Sequence, residues 1–284
     1  MTGSRLSVVH TGIDFGEGPR WHDNELWFSD FYRHGVFTLS ADGTETRRWT
    51  VDGRPSGLGW MPDGTMLIVS MADRALLRSD GDRLITHADL SGVSTHDCND
   101  LVVGPDGTAY VSIFGFDLHG DPPDEPRPTH LVVVAPDGSI RVTDDELWFP
   151  NGAVITPDGS TLIVGESFGR RYSAYRIDAS GMPVDRWLWA DLGHRVPDGC
   201  CLDAEGAIWF ADPVNRAVTR VGEGGEILDE IATDRSAVAC ALGGDDRQTL
   251  YVLTSKGTSP SRVAGTATGR VEVARVDVPG AGLP

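Results

Sequence analysis

Phe149-Pro150-Asn151-Gly152-Ala-Val-Ile-Thr-Pro-Asp-Gly-Ser-Thr-Leu-Ile-Val-Gly-Glu166 is the stretch that decides the fold. A polar residue in a Pro/Gly turn leads into an apolar strand, a Pro-Asp-Gly turn and a second apolar strand. By its turn chemistry this is a β-hairpin. The same phrase returns around Glu17-Gly18-Pro19, Ser56-Gly57, Asn99-Asp100, Pro197-Asp198-Gly199 and, most faintly, Ala239-Cys240-Ala241. The first apolar residues of the second strands, Leu26, Leu67, Ala109, Leu162, Ile208 and Leu250, are spaced by 41, 42, 53, 46 and 42 residues. A strand-only period of about 40 to 50 residues predicts an all-β, six-bladed β-propeller with four-stranded antiparallel blades. Residues 1–284 then form a single domain.

The lead residues Glu17, Ser56, Asn99, Asn151 and Asp198 precede those apolar positions by 9, 11, 10, 11 and 10 residues. The innermost strand of each propeller blade starts at the central channel, so equivalent positions converge on the axis. Two carboxylates and two carboxamides are therefore expected around one point.

The formal charge is −18, from 24 basic and 42 acidic residues, which argues against nucleic acid or an anionic membrane as partner. Cys98, Cys200, Cys201 and Cys240 show no Cys-x-x-Cys spacing. The first residues carry no apolar signal core, and no run approaches the ~18 apolar residues of a spanning helix. These features suit a cytoplasmic protein, monomeric or weakly homo-oligomeric. Leu6–His10 is expected to pair with the last strand, 269–276, and close the ring. Trp27, Tyr110, Trp209 and Tyr251 are expected to pack between blades. The loop 114–129 lengthens one period and is expected to cover a pocket, whereas the polar, Gly-rich segment 254–268 reads as a mobile link, with a flexible second rim as the alternative.

Glu17-Gly-Pro, Asn99-Asp100, Phe149-Pro-Asn151-Gly and Pro197-Asp198-Gly occur in order, one per blade. This set resembles the SMP-30/gluconolactonase/luciferin-regenerating enzyme (LRE)-like family over nearly the whole chain. The resemblance implies a divalent metal in the channel, held by Glu17, Asn151 and Asp198. It also implies that Asn99 binds substrate or, in related members, the metal. Members commonly hydrolyse sugar lactones, and a similar propeller hydrolyses organophosphates. The residues themselves agree: an all-oxygen ligand set suits Ca²⁺, with Mg²⁺, Mn²⁺, Zn²⁺ or Fe²⁺ as alternatives.

The expected reaction is opening of a lactone or other small-molecule ester. The metal activates the carbonyl as a Lewis acid, Asp198 assists water attack, and the Asn99 amide supports the oxyanion. The alternatives are a phosphotriesterase-like hydrolase and a non-hydrolytic metal-binding propeller acting on a lactone-like pathway intermediate. Asp97 stands where sugar-lactone members commonly carry an arginine, which points away from a plain aldonolactone. Asp117, at the family's acidic loop position, and Glu166 and Asp212, at the ends of their second strands, are expected to face the channel mouth. Phe114, Phe116, His119, Trp148 and Phe168 make that rim more aromatic than a sugar pocket needs.

Overall fold

Six four-stranded antiparallel sheets form a six-bladed β-propeller in the computed structural model, which describes residues 5–118, 120 and 122–282. In chain order the blades occupy 16–50, 55–89, 98–142, 150–191, 200–232 and 236–275. The N-terminal strand Ser7–Ile13 is the outermost strand of the sixth blade, paired antiparallel with Gly269–Arg275 from Ser7↔Val273 to Ile13↔Gly269. The ring closes as the sequence predicts, with the paired residues running three beyond His10.

The expected aromatics lie between blades. Trp27 meets Trp60 of the second blade edge-on with ring centroids 5.5 Å apart, and Tyr251 of the sixth stacks on Trp21 of the first at 5.5 Å. Tyr110 of the third blade donates its hydroxyl to the Gly181 carbonyl of the fourth at 2.9 Å. All four cysteines are free thiols.

In the first four blades the lead residue sits where the inner strand leaves its regular register. The ladder slips between Glu17 and Arg20, Pro55 and Leu58, Cys98 and Leu101, and Pro150 and Ala153. A bulge at this point bends the strand and re-aims a side chain, here beside the channel. In the fifth blade Asp198 and Gly199 precede the strand Cys200–Leu202, and the Asp198 N–H is tied to the Ala211 carbonyl at 2.9 Å. Neighbouring inner strands approach to backbone contact: a Cβ on Gly152 would lie 2.6 Å from the Asp198 carbonyl oxygen, and one on Gly57 2.4 Å from the Leu101 nitrogen.

The segment 254–268 is not a loose link. It holds a helical turn, Pro260–Val263, with Val263 fully buried. The buried carboxylate of Asp14 accepts the N–H groups of Gly265 and Ala267, each at 2.7 Å, and Arg235 donates to the Thr268 carbonyl at 2.7 Å.

Gly152→Ala must push apart two inner strands and is expected to cost about 1–3 kcal/mol, as overpacking does. Gly92→Ala, where an added Cβ meets nothing within 4 Å, serves as the control. Urea midpoints of the two variants read the difference, and equal midpoints would remove the contact's significance.

Candidate active site

One end of the channel opens into a cavity of about 510 Å³, within the range of small-molecule sites. Glu17, Asn99, Asn151 and Asp198 all line it, so four of the five lead residues meet in one space. Ser56, the fifth, is buried beneath: its carbonyl accepts the Ser29 hydroxyl at 2.7 Å. Asn151 is steadied by Ser167, which accepts from its Nδ2 at 3.2 Å while donating to the Pro197 carbonyl at 2.6 Å. The Asn99 amide nitrogen is buried with no hydrogen-bond partner.

Burial holds the Glu17 carboxyl well above the usual carboxylate range, and the charges of Asp198 and Asp100 raise it further. Burial pushes Asp198 up to about 8; the Asn151 amide pulls the other way, while Asp100 and Asp212 add to the rise. Asp198 keeps part of its surface open to the cavity although it sits deep in the ring. Among the described residues no cation forms an ion pair with either carboxylate; Arg20, whose charge pulls Glu17 down, is paired with Asp100 at 3.1 Å. Among the described residues no three His, Cys, Asp or Glu side chains gather as a metal cluster. The converging donors are instead two carboxylates and two carboxamides. That all-oxygen set fits a hard divalent cation, whose charge would relieve both acids.

The remaining expected residues divide. Phe114 lines the cavity with Phe149 and Phe168, and their rings cluster: Phe114–Phe149 centroids are 4.7 Å apart and Phe149–Phe168 5.2 Å. Phe116 is buried behind this wall, 5.7 Å from Phe149 and 5.6 Å from Phe168. Phe149 adopts φ +57°, a strained conformation for a bulky side chain, so the aromatic wall is held at a cost.

Glu166 does not face the mouth. It is fully buried, accepting from Arg171 at 2.8 and 2.9 Å, Arg186 at 2.6 Å, Ser173 at 2.6 Å and the Trp148 N–H at 2.9 Å. Asp212 is likewise buried, capping the N–H groups of Val196, Val214 and Asn215. Glu166 is drawn in by two arginines, and Asp212 by the turn N–H groups that crowd the end of its strand. Asp97 is bound by Arg54 at 2.6 Å and is not among the lining residues. Neither are Trp148, which is partly exposed, and Asp117, whose backbone closes on Asp124. His119 lies outside the described residues.

Residues that the sequence reading missed complete the lining. Phe15, Phe31 and Tyr32 extend the aromatic wall, and Arg216, Lys256 and Arg262 bring positive charge. One signal was present: Lys256 is the only lysine in the chain.

Residues 15–256 match the SMP-30/gluconolactonase/LRE-like region. The chain belongs to this family. A relative within it is the pentonolactonase XacC of Haloferax volcanii, 25% identical over 258 residues, covering 88% of this chain and 84% of that protein. The gluconolactonase of Zymomonas mobilis is 24% identical over 292 residues, covering 88% and 79%. The solved structure of a calcium-binding protein, regucalcin, from Agrobacterium tumefaciens superposes with a TM-score of 0.80 at 23% identity, covering 96% of this chain and 94% of that one. That likeness shows the shared fold. In this member of the SMP-30/gluconolactonase/LRE-like family, no helix among the described residues is long and apolar enough to cross a membrane.

Glu166→Ala strands two arginines and is expected to cost about 3–5 kcal/mol of stability, read by urea unfolding. A cost below about 1 kcal/mol would refute the anchoring role of its carboxylate. The site carboxyls behave in the opposite sense. Their folded-state values are raised, so in chelator-treated protein their contribution to stability is fully present below the unfolded value of 3.8 for Asp198 and is lost as pH rises through about 8. Chelated wild type should therefore melt progressively lower from about pH 5 to 8.5. Asp198→Asn should flatten that slope, and identical slopes by calorimetry would contradict the assignment.

Proposed function

We infer that this chain is a hydrolase that opens a lactone with a divalent cation as cofactor. The observation that carries this reading is the meeting of Glu17, Asn99, Asn151 and Asp198 in one cavity, with both acids raised in proton affinity. The lactonase names of relatives that span most of the chain support the same reaction.

Glu17, Asn151 and Asp198 are the residues that would hold the cation. Their oxygen donors, and the calcium-binding description of the regucalcin structure, favour Ca²⁺. When bound, such an ion supplies Lewis acidity toward an ester carbonyl.

The chain's own groups do the rest. Asp198 takes the proton of the attacking water, which needs a carboxylate that is deep yet open to the cavity. The unpartnered Asn99 amide donates to the oxygen on which negative charge develops, a bond it makes to nothing else in the protein. Ser167 locks the Asn151 amide. The Phe114–Phe149–Phe168 wall narrows access for bulk water and strengthens these electrostatic contacts.

A pH-indicator screen over γ- and δ-lactones, aryl esters and a phosphotriester, with and without chelator, tests the reading. Chelator-sensitive acid release from lactones is expected. Asp198→Ala should lower kcat by about 10²–10⁴-fold and Asn99→Ala by about 10²–10³-fold. Full turnover by Asp198→Ala would remove the proposed base, and turnover by chelated protein would remove the cofactor.

A further inference from the structure

The cavity mouth is electrically lopsided. Phe15, Phe31 and Tyr32 of the first blade and Phe114, Phe149 and Phe168 beside the third and fourth build its apolar side. On the side of the fifth and sixth blades stand Arg216, Lys256 and Arg262.

Positive charge is scarce in this protein, and most of it is committed. Most arginines are tied to carboxylates or carbonyls, among them Arg20 to Asp100, Arg54 to Asp97, Arg171 and Arg186 to Glu166, Arg220 to Asp203 and Arg235 to Asp234. Among the described residues Arg216, Lys256 and Arg262 have no ion-pair or side-chain hydrogen-bond partner. Glu17 and Asp198 line the same cavity without an ion pair to these cations, and several other acids of the ring are occupied. Asp14 caps Gly265 and Ala267, Asp97 holds Arg54, Asp212 caps Val196, Val214 and Asn215, and Asp234 holds Arg235 and Arg270.

The cations are also positioned. Lys256 and Arg262 ride on a segment pinned through Asp14 and Arg235 and anchored by buried Val263. Against a net charge of −18, whose long-range field repels anions, three uncommitted cations at one opening act at short range.

We propose that the substrate is an anionic lactone: its apolar body lies on the Phe wall and an oxyacid group, carboxylate or sulfonate, is held by Lys256, Arg216 and Arg262. This rests on the hydrolase reading above and names its substrate class. The three cations set specificity and take no part in bond breaking. The ester must lie between the two walls, over Asp198 and Asn99, so the anionic group and the reacting carbonyl sit at different ends of the molecule.

The test compares three probes: γ-(4-carboxyphenyl)-γ-butyrolactone, its 4-sulfophenyl analogue, and the neutral methyl ester of the first. Wild-type kcat/KM is expected to be about tenfold or more higher for at least one anionic probe than for the neutral one. That ratio should shrink in 0.5 M salt, where the screening length falls to about 4 Å. Lys256→Met with Arg216→Met should bring the ratio near one, chiefly through KM, and Lys256→Arg should retain it. Arg247→Met, far from this cavity, should leave the ratio as in wild type.

Equal kcat/KM for charged and neutral probes, or a ratio unmoved in the double variant, overturns the anion assignment while leaving the hydrolase reading intact. If no probe is turned over, the hydrolase reading fails for these lactones. Calorimetric titration of the carboxylate probe then decides the anion site: binding weakened about tenfold or more in the double variant supports it, and equal binding overturns it.

Discussion

Everything in this molecule depends on how closely the inner strands of adjacent blades can approach the axis. At Gly152 and Gly57 the backbone of the next blade occupies the space a side chain would need. Contact this tight leaves no room for regular pairing, and the inner ladders slip at the same point in the first four blades. In three of these blades the slip turns Glu17, Asn99 or Asn151 toward the channel, and in the fifth Asp198 reaches it from just before its strand. The geometry that closes a ring of sheets is thus the geometry that gathers Glu17, Asn99, Asn151 and Asp198. A scaffold constraint and a chemical site share one cause.

Gathering acids away from water is unfavourable, and the protein treats its buried carboxylates in two ways. Glu166, Asp100 and Asp203 are given arginines, and Asp30, Asp14 and Asp212 are given backbone N–H groups. Glu17 and Asp198 receive little of either, and both are held at raised proton affinity. A fold that supplies those six acids with partners but leaves these two in need has kept them for an external positive charge. The unpartnered Asn99 amide beside them has the same character.

Blade number, the lead residues and the ring closure were legible because each rests on local turn chemistry repeated at a steady interval. Asn151 could be read from Pro150 and Gly152 alone. Glu166 and Asp97 were misread because their surroundings come from elsewhere in the chain: Arg186 lies in the next strand but one, and Arg54 precedes another blade. The segment 254–268 was misread for the same reason. Its polar, Gly-rich composition carries no sign of order, since what orders it is Asp14, more than two hundred residues earlier. Local pattern reveals strands and turns; it is silent on which distant partner a charge will find.

Asp14 follows directly on the strand that completes the sixth blade, and it is this residue that holds the cavity's cationic rim. Seam and rim are therefore latched by neighbouring residues. A chain whose first strand has not yet docked lacks the support for Lys256 and Arg262 as well as its last sheet partner. Recognition of a ligand at that edge becomes a property of the finished circle, so an unlatched molecule is also a blind one.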